Sequence, residues 1–227
     1  SYSRGDAAED VLENFTRMAA ALGVERDRMV VSHQTHTVNL RRVTQEDAGK
    51  GVVRERDYRD IDGLITDVPG LTLVTFYADC VPLSLLDPVN RAIGLSHSGW
   101  RGTVKRMGQV TVDAMKEAFG TKPGDLIACV GPSICRECFE VGGEVVEEFR
   151  KAFEPEYWEE LYCQGKRPGK YQLDLWKANE IIFREAGIRR ENIHITNICT
   201  MCNSDYLFSH RKVGEERGNL AAFLCLR

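Results

Sequence analysis

The sequence predicts an α/β (α+β) fold, a single compact domain of mixed β-sheets flanked by helices. Three observations predict it. Short apolar, β-branched runs recur through the 227 residues, helical periodicity interrupts them at several points, and no repeat, linker or low-complexity stretch divides the chain.

Asp6-Ala7-Ala8-Glu9 has the form of a capping box. Apolar Val11, Leu12, Phe15, Met18, Ala19 and Leu22 follow at helical spacing, and Gly23 stops the helix. Met29-Val30-Val31-Ser32 is strand-like and leads into a loop carrying His33 and His36. Residues 41–60 are charged and aperiodic, an excursion or hairpin. Strands are expected over 63–66, 71–76, 82–86 and 92–96, the last two joined by the turn Asp87-Pro88-Val89-Asn90. The period turns helical over 103–119 (Val104, Met107, Thr111, Met115, Ala118) until Gly120. A strand over 125–130 ends at Gly131-Pro132. Helices are expected over 143–153, 156–162 and 173–186, the last with Asp174 near its start and Gly187 at its end. Strands over 193–198, 206–209 and 221–226 complete the pattern, with the loops at 33–39, 78–81 and 97–103 converging.

Apolar residues make up 43% and charged ones 28%, and the formal charge is −4. The densest basic cluster (Arg54, Arg56, Arg59) is interleaved with Glu55, Asp57 and Asp60, which leaves no footprint for nucleic acid. No apolar run approaches the roughly 18 residues of a membrane span. Residues 1–6 hold no apolar signal core, so a cytoplasmic location is expected. The eight cysteines are expected to be free thiols of a reducing compartment, since Cys80, Cys129, Cys199 and Cys225 fall in or beside strand-like runs. Cys135-Arg136-Glu137-Cys138 and Cys199-Thr200-Met201-Cys202 form two C-x-x-C pairs. Their separation, 199 − 138 = 61 residues, exceeds a compact zinc ribbon, so loop and core thiols are the expectation there.

Cys80 follows one apolar run and His97 closes another, each succeeded by residues that break a strand. With a histidine from the 33–36 loop they make two imidazoles and one thiolate. Such a three-ligand set leaves one coordination position open, which is a catalytic arrangement. Core thiol and surface histidines remain the plain alternative. Gly99-Trp100-Arg101-Gly102-Thr103 follows a strand and opens a helix, so free N–H groups and the Arg101 guanidinium suit an anion. A strand-to-helix turn with a solvent-facing arginine is the alternative. Arg211, after the run Tyr206-Leu207-Phe208, brings a further cation or simply faces solvent. Asp62-Gly63 reads as a turn, and Gln34 and Asn39 as loop polars or hydrogen-bond partners of the site.

Taken together and in order, these residues carry a resemblance. Gln34-Thr35-His36, Asp62-Gly63-Leu64-Ile65-Thr66, Ala78-Asp79-Cys80-Val81-Pro82-Leu83 with Asp87-Pro88, and His97-Ser98-Gly99-Trp100-Arg101-Gly102 come first. Gly131-Pro132-Ser133-Ile134, Cys138-Phe139-Glu140-Val141-Gly142, Cys199-Thr200 and Phe208-Ser209-His210-Arg211 follow. The chain resembles the laccase-domain purine nucleoside phosphorylases, formerly described as multicopper polyphenol oxidoreductases, from about Gly5 to its last residue. The A-D-C and H-x-G-W-R-G motifs, 97 − 80 = 17 residues apart, are specific in combination.

The resemblance implies one such domain over residues 1–227, with zinc held by His36, Cys80 and His97. It implies phosphorolysis of adenosine, inosine or guanosine to the base and ribose 1-phosphate, with adenosine deamination and methylthioadenosine phosphorolysis as associated activities. Nucleoside and phosphate are then the partners, with no nucleic acid and no membrane, and Arg101, Arg211 and Gln34 are candidates for substrate contacts. The segment Ser3-Arg4-Gly5-Asp6 looks like one normally preceded by strands. Gly218-Asn219 stands where similar sequences often carry Gly-Arg, so an arginine role there is absent or taken by Arg217, and Thr37 replaces a glycine often found after the first histidine.

Rival functions remain on the residues alone. Five histidines (His33, His36, His97, His194, His210) are too few for a trinuclear copper cluster as multicopper oxidases build it, but Cu2+ could occupy the His/Cys/His set. Cys80 activated by His97 would make a thiol hydrolase. A four-coordinate zinc with no open position would make a binding module.

Overall fold

In chain order the computed structural model, which describes residues 5–227, begins with α1 (Ala8–Leu22), β1 (Met29–Val31) and β2 (Leu40–Arg42). It continues through β3 (Gly63–Thr66), β4 (Thr72–Tyr77), β5 (Val81–Asp87) and β6 (Ala92–Ser98). Helices α2 (Trp100–Val104) and α3 (Met107–Phe119) follow, then β7 (Ile127–Val130), β8 (Glu140–Gly142), α4 (Gly143–Ala152) and α5 (Trp158–Leu161). Strands β9 (Tyr162–Gln164) and β10 (Lys170–Leu173), helix α6 (Leu175–Glu185), β11 (Ile193–Ile195), α7 (His210–Val213) and β12 (Leu220–Cys225) complete the order. The expectation attached to Ser3 and Arg4 lies outside the described residues.

A six-stranded mixed sheet, ordered β11-β7-β5-β6-β3-β2, is backed by a three-stranded sheet, β1-β4-β12. Leu64, Ile93 and Leu95 of the large sheet pack with Val30, Leu71 and Leu73 between the two. Helix α1 covers the outer face of the small sheet through Val11, Phe15 and Ala19 against Met29, Val31 and Val74. On its other face the large sheet buries Leu83, Leu85 and Ala128 against Val112, Met115, Val146, Phe149, Ile182 and Phe183 of α3, α4 and α6. Every residue of β6 is buried, as a strand between two layers requires.

The central hairpin follows from its turn. The Asp87 carboxylate accepts the N–H groups of Val89 (3.0 Å) and Asn90 (2.9 Å) and the Asn90 side-chain amide (2.8 Å), which folds β5 back onto β6. Val81 then faces Ser98 and Pro82 faces His97. Gly23 ends α1 in the left-handed conformation, its neighbour Val24 donating to the Ala19 carbonyl at 3.0 Å. Asp174 caps α6 by accepting the Lys177 N–H at 2.9 Å.

Several expectations are corrected. Ala7, not Asp6, is the N-cap of α1, and an alanine side chain has no oxygen to cap with. The helix expected over 103–119 is two, broken where Arg106 takes a left-handed φ of 62° and Arg106 pairs with Glu185. Nothing in the local periodicity marks that break. Residues 206–209 form turns and irregular chain, not a strand, with Tyr206 and Phe208 exposed and no strand among the described residues paired with them. Residues 156–162 give a 3₁₀ turn and the four-residue α5, and the helix expected over 173–186 starts at Leu175, Leu173 being the last residue of β10. The β8-β10-β9 sheet has no counterpart in the sequence pattern, its strands being short and half-buried. The 41–60 excursion contains β2 and a 3₁₀ turn capped by Thr44. None of the described helices is long and apolar enough to cross a membrane.

Candidate metal centre

Cys80 lies on the three-residue crossing between the two stacked sheets, after β4 ends at Tyr77 and before β5 starts at Val81. Because β5 and β6 are antiparallel, the beginning of one and the end of the other share an edge. Cys80 and His97 therefore emerge together. His36 reaches the same edge from the β1–β2 connection, with a left-handed φ of 64°. The donor atoms of His36, Cys80 and His97 all lie within 4.8 Å of one another. A tetrahedral zinc spaces such donors by about 3.5 Å, so a cluster of this span would hold one ion.

One buried carboxylate assembles this edge. Asp62, fully buried, takes the N–H groups of Thr35 (3.1 Å), His36 (3.0 Å) and Thr37 (2.8 Å), the Thr37 hydroxyl (2.8 Å) and His97 Nδ1 (2.8 Å). It thus holds the loop that presents His36 and turns His97 so that Nε2 faces the site, the second-neighbour arrangement that orients metal-binding imidazoles. Burial opposes charge on Asp62, but the His97 contact and the Thr35 and Thr37 donors outweigh it and bring the carboxyl down to about 2. Burial likewise opposes a Cys80 thiolate, yet the charge of His97 and hydrogen bonds from both imidazoles lower its pKa. His97 is raised by Cys80 and Asp62 in spite of its burial. The site favours thiolate, the form that binds metal.

Close packing forces one glycine. A Cβ on Gly99 would stand 2.9 Å from Cys80 Sγ and 3.3 Å from His36 Cδ2, so no other residue lets the turn approach the three donors.

Two cavities meet here. One, of about 550 Å³, is walled by Phe15, Phe76, Arg56, Arg217 and Asn219; the other, of about 410 Å³, by Trp100, Arg101, Glu140, Glu144 and Arg211. His36, Ala78, Cys80 and His210 line both. Arg101 and Arg211 are thus brought to one side of the centre. The Arg101 guanidinium lies 4.4 Å from the Trp100 ring centroid. Arg211 is anchored by its N–H on Asp79 (2.6 Å) and by Nη1 on the Glu140 carbonyl (2.8 Å). Gln34 borders the first cavity, but its amide is engaged with the main chain of Phe76, donating to the carbonyl and accepting the N–H, each at 2.7 Å. Helix α2, which carries Arg101, has only five residues and therefore little dipole to add.

Sequence reasoning missed Asp62, read there as a turn, and His210, which faces both cavities. Asp62 is 35 residues from its partner His97, so local spacing carried no sign of the pair. The four C-x-x-C cysteines, expected to be separate thiols, are also brought together, their sulfurs within 4.8 Å of one another. Cys199 pairs in a parallel bridge with Ser133, which closes the 61-residue gap in space. All eight cysteines are free of disulfides.

Over residues 1–227 the chain matches the protein family described as multi-copper polyphenol oxidoreductase laccase. Purine nucleoside phosphorylase YlmD of Bacillus subtilis is 32% identical, over 98% of this chain and 79% of its own length. Adenosine deaminase RL5, from an unknown prokaryotic organism, is 34% identical over 94% of this chain and 81% of its own. The crystal structure of YlmD from Geobacillus stearothermophilus matches with a TM-score of 0.91 and 33% identity, covering 98% of this chain and 82% of that one.

Proposed function

The chain belongs to the multi-copper polyphenol oxidoreductase laccase family, and from its similarity to purine nucleoside phosphorylase YlmD we propose that it is a zinc-dependent purine nucleoside phosphorylase acting as one domain. Adenosine, inosine or guanosine reacts with phosphate to give the base and ribose 1-phosphate. Adenosine deamination and methylthioadenosine phosphorolysis are further activities of the same site. The reading is carried by one observation: the donors of His36, Cys80 and His97 converge where two cavities join, one walled by Phe15 and Phe76 and the other by Arg101 and Arg211.

One thiolate and two imidazoles suit zinc and leave a coordination position open. Bound there, the ion supplies Lewis acidity to an oxygen or nitrogen of the substrate. The remaining work falls to the chain. Arg101 and Arg211 hold phosphate, planar guanidinium groups being matched to its oxygens. Glu144, in the same cavity, accepts ribose hydroxyls. Phe15 and Phe76, edge to face with centroids 6.4 Å apart, wall the space for the flat base, and Gln34 fixes that wall through Phe76. His210, on the boundary, exchanges a proton with the departing base.

Copper competes for the same donors, so Cu2+ at this centre is a question of occupancy. Five histidines in the whole chain support one such centre and not a copper cluster. The lowered thiol of Cys80 beside His97 favours a second reading, a Cys–His hydrolase. Metal content separates the two, since a sulfur that ligates an ion is not a free nucleophile. Free thiols fit a cytoplasmic enzyme. Incubation with inosine tests the proposal: hypoxanthine is expected only when phosphate is present. Release without phosphate, or oxygen uptake, would overturn it.

A further inference from the structure

We propose that Cys135, Cys138, Cys199 and Cys202 form a second, structural metal site, a tetrathiolate cage for one zinc ion. A zinc–sulfur distance of about 2.3 Å in a tetrahedron spaces the sulfurs by about 3.8 Å. The four sulfurs here all lie within 4.8 Å of one another, with Cys138 and Cys202 at 3.4 Å. That is the span of a single ion; iron–sulfur clusters with several irons hold their cysteines farther apart. Four sulfur donors also leave no vacancy, as structural sites require.

The backbone is shaped for the same purpose. Each C-x-x-C pair sits on a tight turn: the Cys138 N–H donates to the Cys135 carbonyl at 3.1 Å, and Asn203 N–H donates to the Cys199 carbonyl at 3.1 Å. Cys199 Sγ accepts the N–H groups of Cys135 (3.3 Å) and Cys202 (3.4 Å). Donors aimed at a sulfur stabilise it as thiolate, the ligating form.

The need for such a clamp is visible in the segment 196–209. It contains no helix or strand, and with Ile198, Tyr206 and Phe208 exposed its apolar burial rests mainly on Cys199 and Met201. Yet it delivers His210 and Arg211 to the candidate centre. Its ties to the rest of the fold include the Thr196 N–H on the Val130 carbonyl (3.0 Å), the bridge to Ser133 and the hydrogen bond from the Thr200 hydroxyl to Asp79 at 2.6 Å. Asp79 also receives the Arg211 N–H and immediately precedes Cys80. A metal at the four cysteines would fix this strap where it joins the β7–β8 loop.

Elemental analysis of protein purified under reducing conditions tests the site. The Cys80→Ala variant, deprived of the His36/Cys80/His97 centre, is expected to retain one equivalent of zinc. Exchanged with Co(II), it should show the sulfur-to-cobalt charge-transfer and intense visible bands of a tetrathiolate. Removing that metal with chelator should speed amide exchange across 196–212. Introducing Cys138→Ser and Cys202→Ser together in this background should lose the remaining equivalent. A metal-free Cys80→Ala protein without those cobalt bands, a metal that persists after both serine changes, or a mass showing disulfides in freshly quenched native protein would overturn the proposal. Because every reading is taken with the first centre removed, failure here leaves the phosphorylase proposal standing, and the reverse.

Discussion

The His36–Cys80–His97 edge and the four-cysteine cluster are linked through Asp79 and built by opposite means. The first gathers three donors from distant loops, orients two of them through a buried carboxylate, and opens on two cavities. The second gathers four sulfurs on two short turns and lines neither cavity. The open set is suited to substrate and the closed one to holding chain in place. Substitutions at the first should therefore fall on turnover, and those at the second on the order of the chain around it.

The largest effect is expected from Cys80→Ala. It should abolish phosphate-dependent turnover of inosine and remove the metal of the open centre, both readable on one preparation by product chromatography and elemental analysis; retained turnover takes Cys80 out of the mechanism. Next comes Asp62→Asn. Loss of the carboxylate that orients His97 and the 35–37 loop should cost about 10- to 100-fold in metal affinity or activity. A metal-competition titration measures it, and an unchanged affinity would mean that His97 is oriented without Asp62. Arg101→Ala should raise the KM for phosphate about 10-fold, equivalent to about 1.4 kcal/mol, while leaving metal content alone. An equal KM would move phosphate away from this arginine.

A different effect, on stability and not on turnover, belongs to a control carboxylate outside both clusters. Asp47, 4% exposed, is opposed by burial but receives Lys50, the Thr44 N–H and Arg41, which hold it at about 2 against an ordinary 3.8. Its ionised form stabilises the fold by about 2 kcal/mol above pH 4, and this is lost as pH falls towards 2. Asp47→Asn should flatten the acid side of the stability curve between those values without altering either metal site. A curve of unchanged slope in denaturant titrations across that range would contradict the assignment.

How legible these regions were in sequence differs in the same way. The strands that flank Cys80 and carry His97 announce themselves by β-branched runs and by an Asp-Pro turn, so their shared edge could be anticipated. Asp62 could not, because its partners lie between 25 and 35 residues away and its local context is that of a turn. The cysteine cage was obscured by the very spacing used to judge it. A parallel bridge between Ser133 and Cys199 is a tertiary contact, and no count along the chain reveals it. Arg106, with its left-handed backbone, splits a periodic stretch into two helices through contacts with Glu185, Ala152 and Phe153. Gly99 was visible as a glycine, but the demand for it comes from a thiol and an imidazole that only the fold places beside it.

Metal reconstitution tests the account most directly. Protein stripped by chelator is titrated with zinc while inosine turnover in phosphate is followed alongside Cys80→Ala. Activity should rise with the equivalent of metal that wild type binds and Cys80→Ala does not. Full turnover in the stripped protein, or equal turnover by the variant, would contradict it.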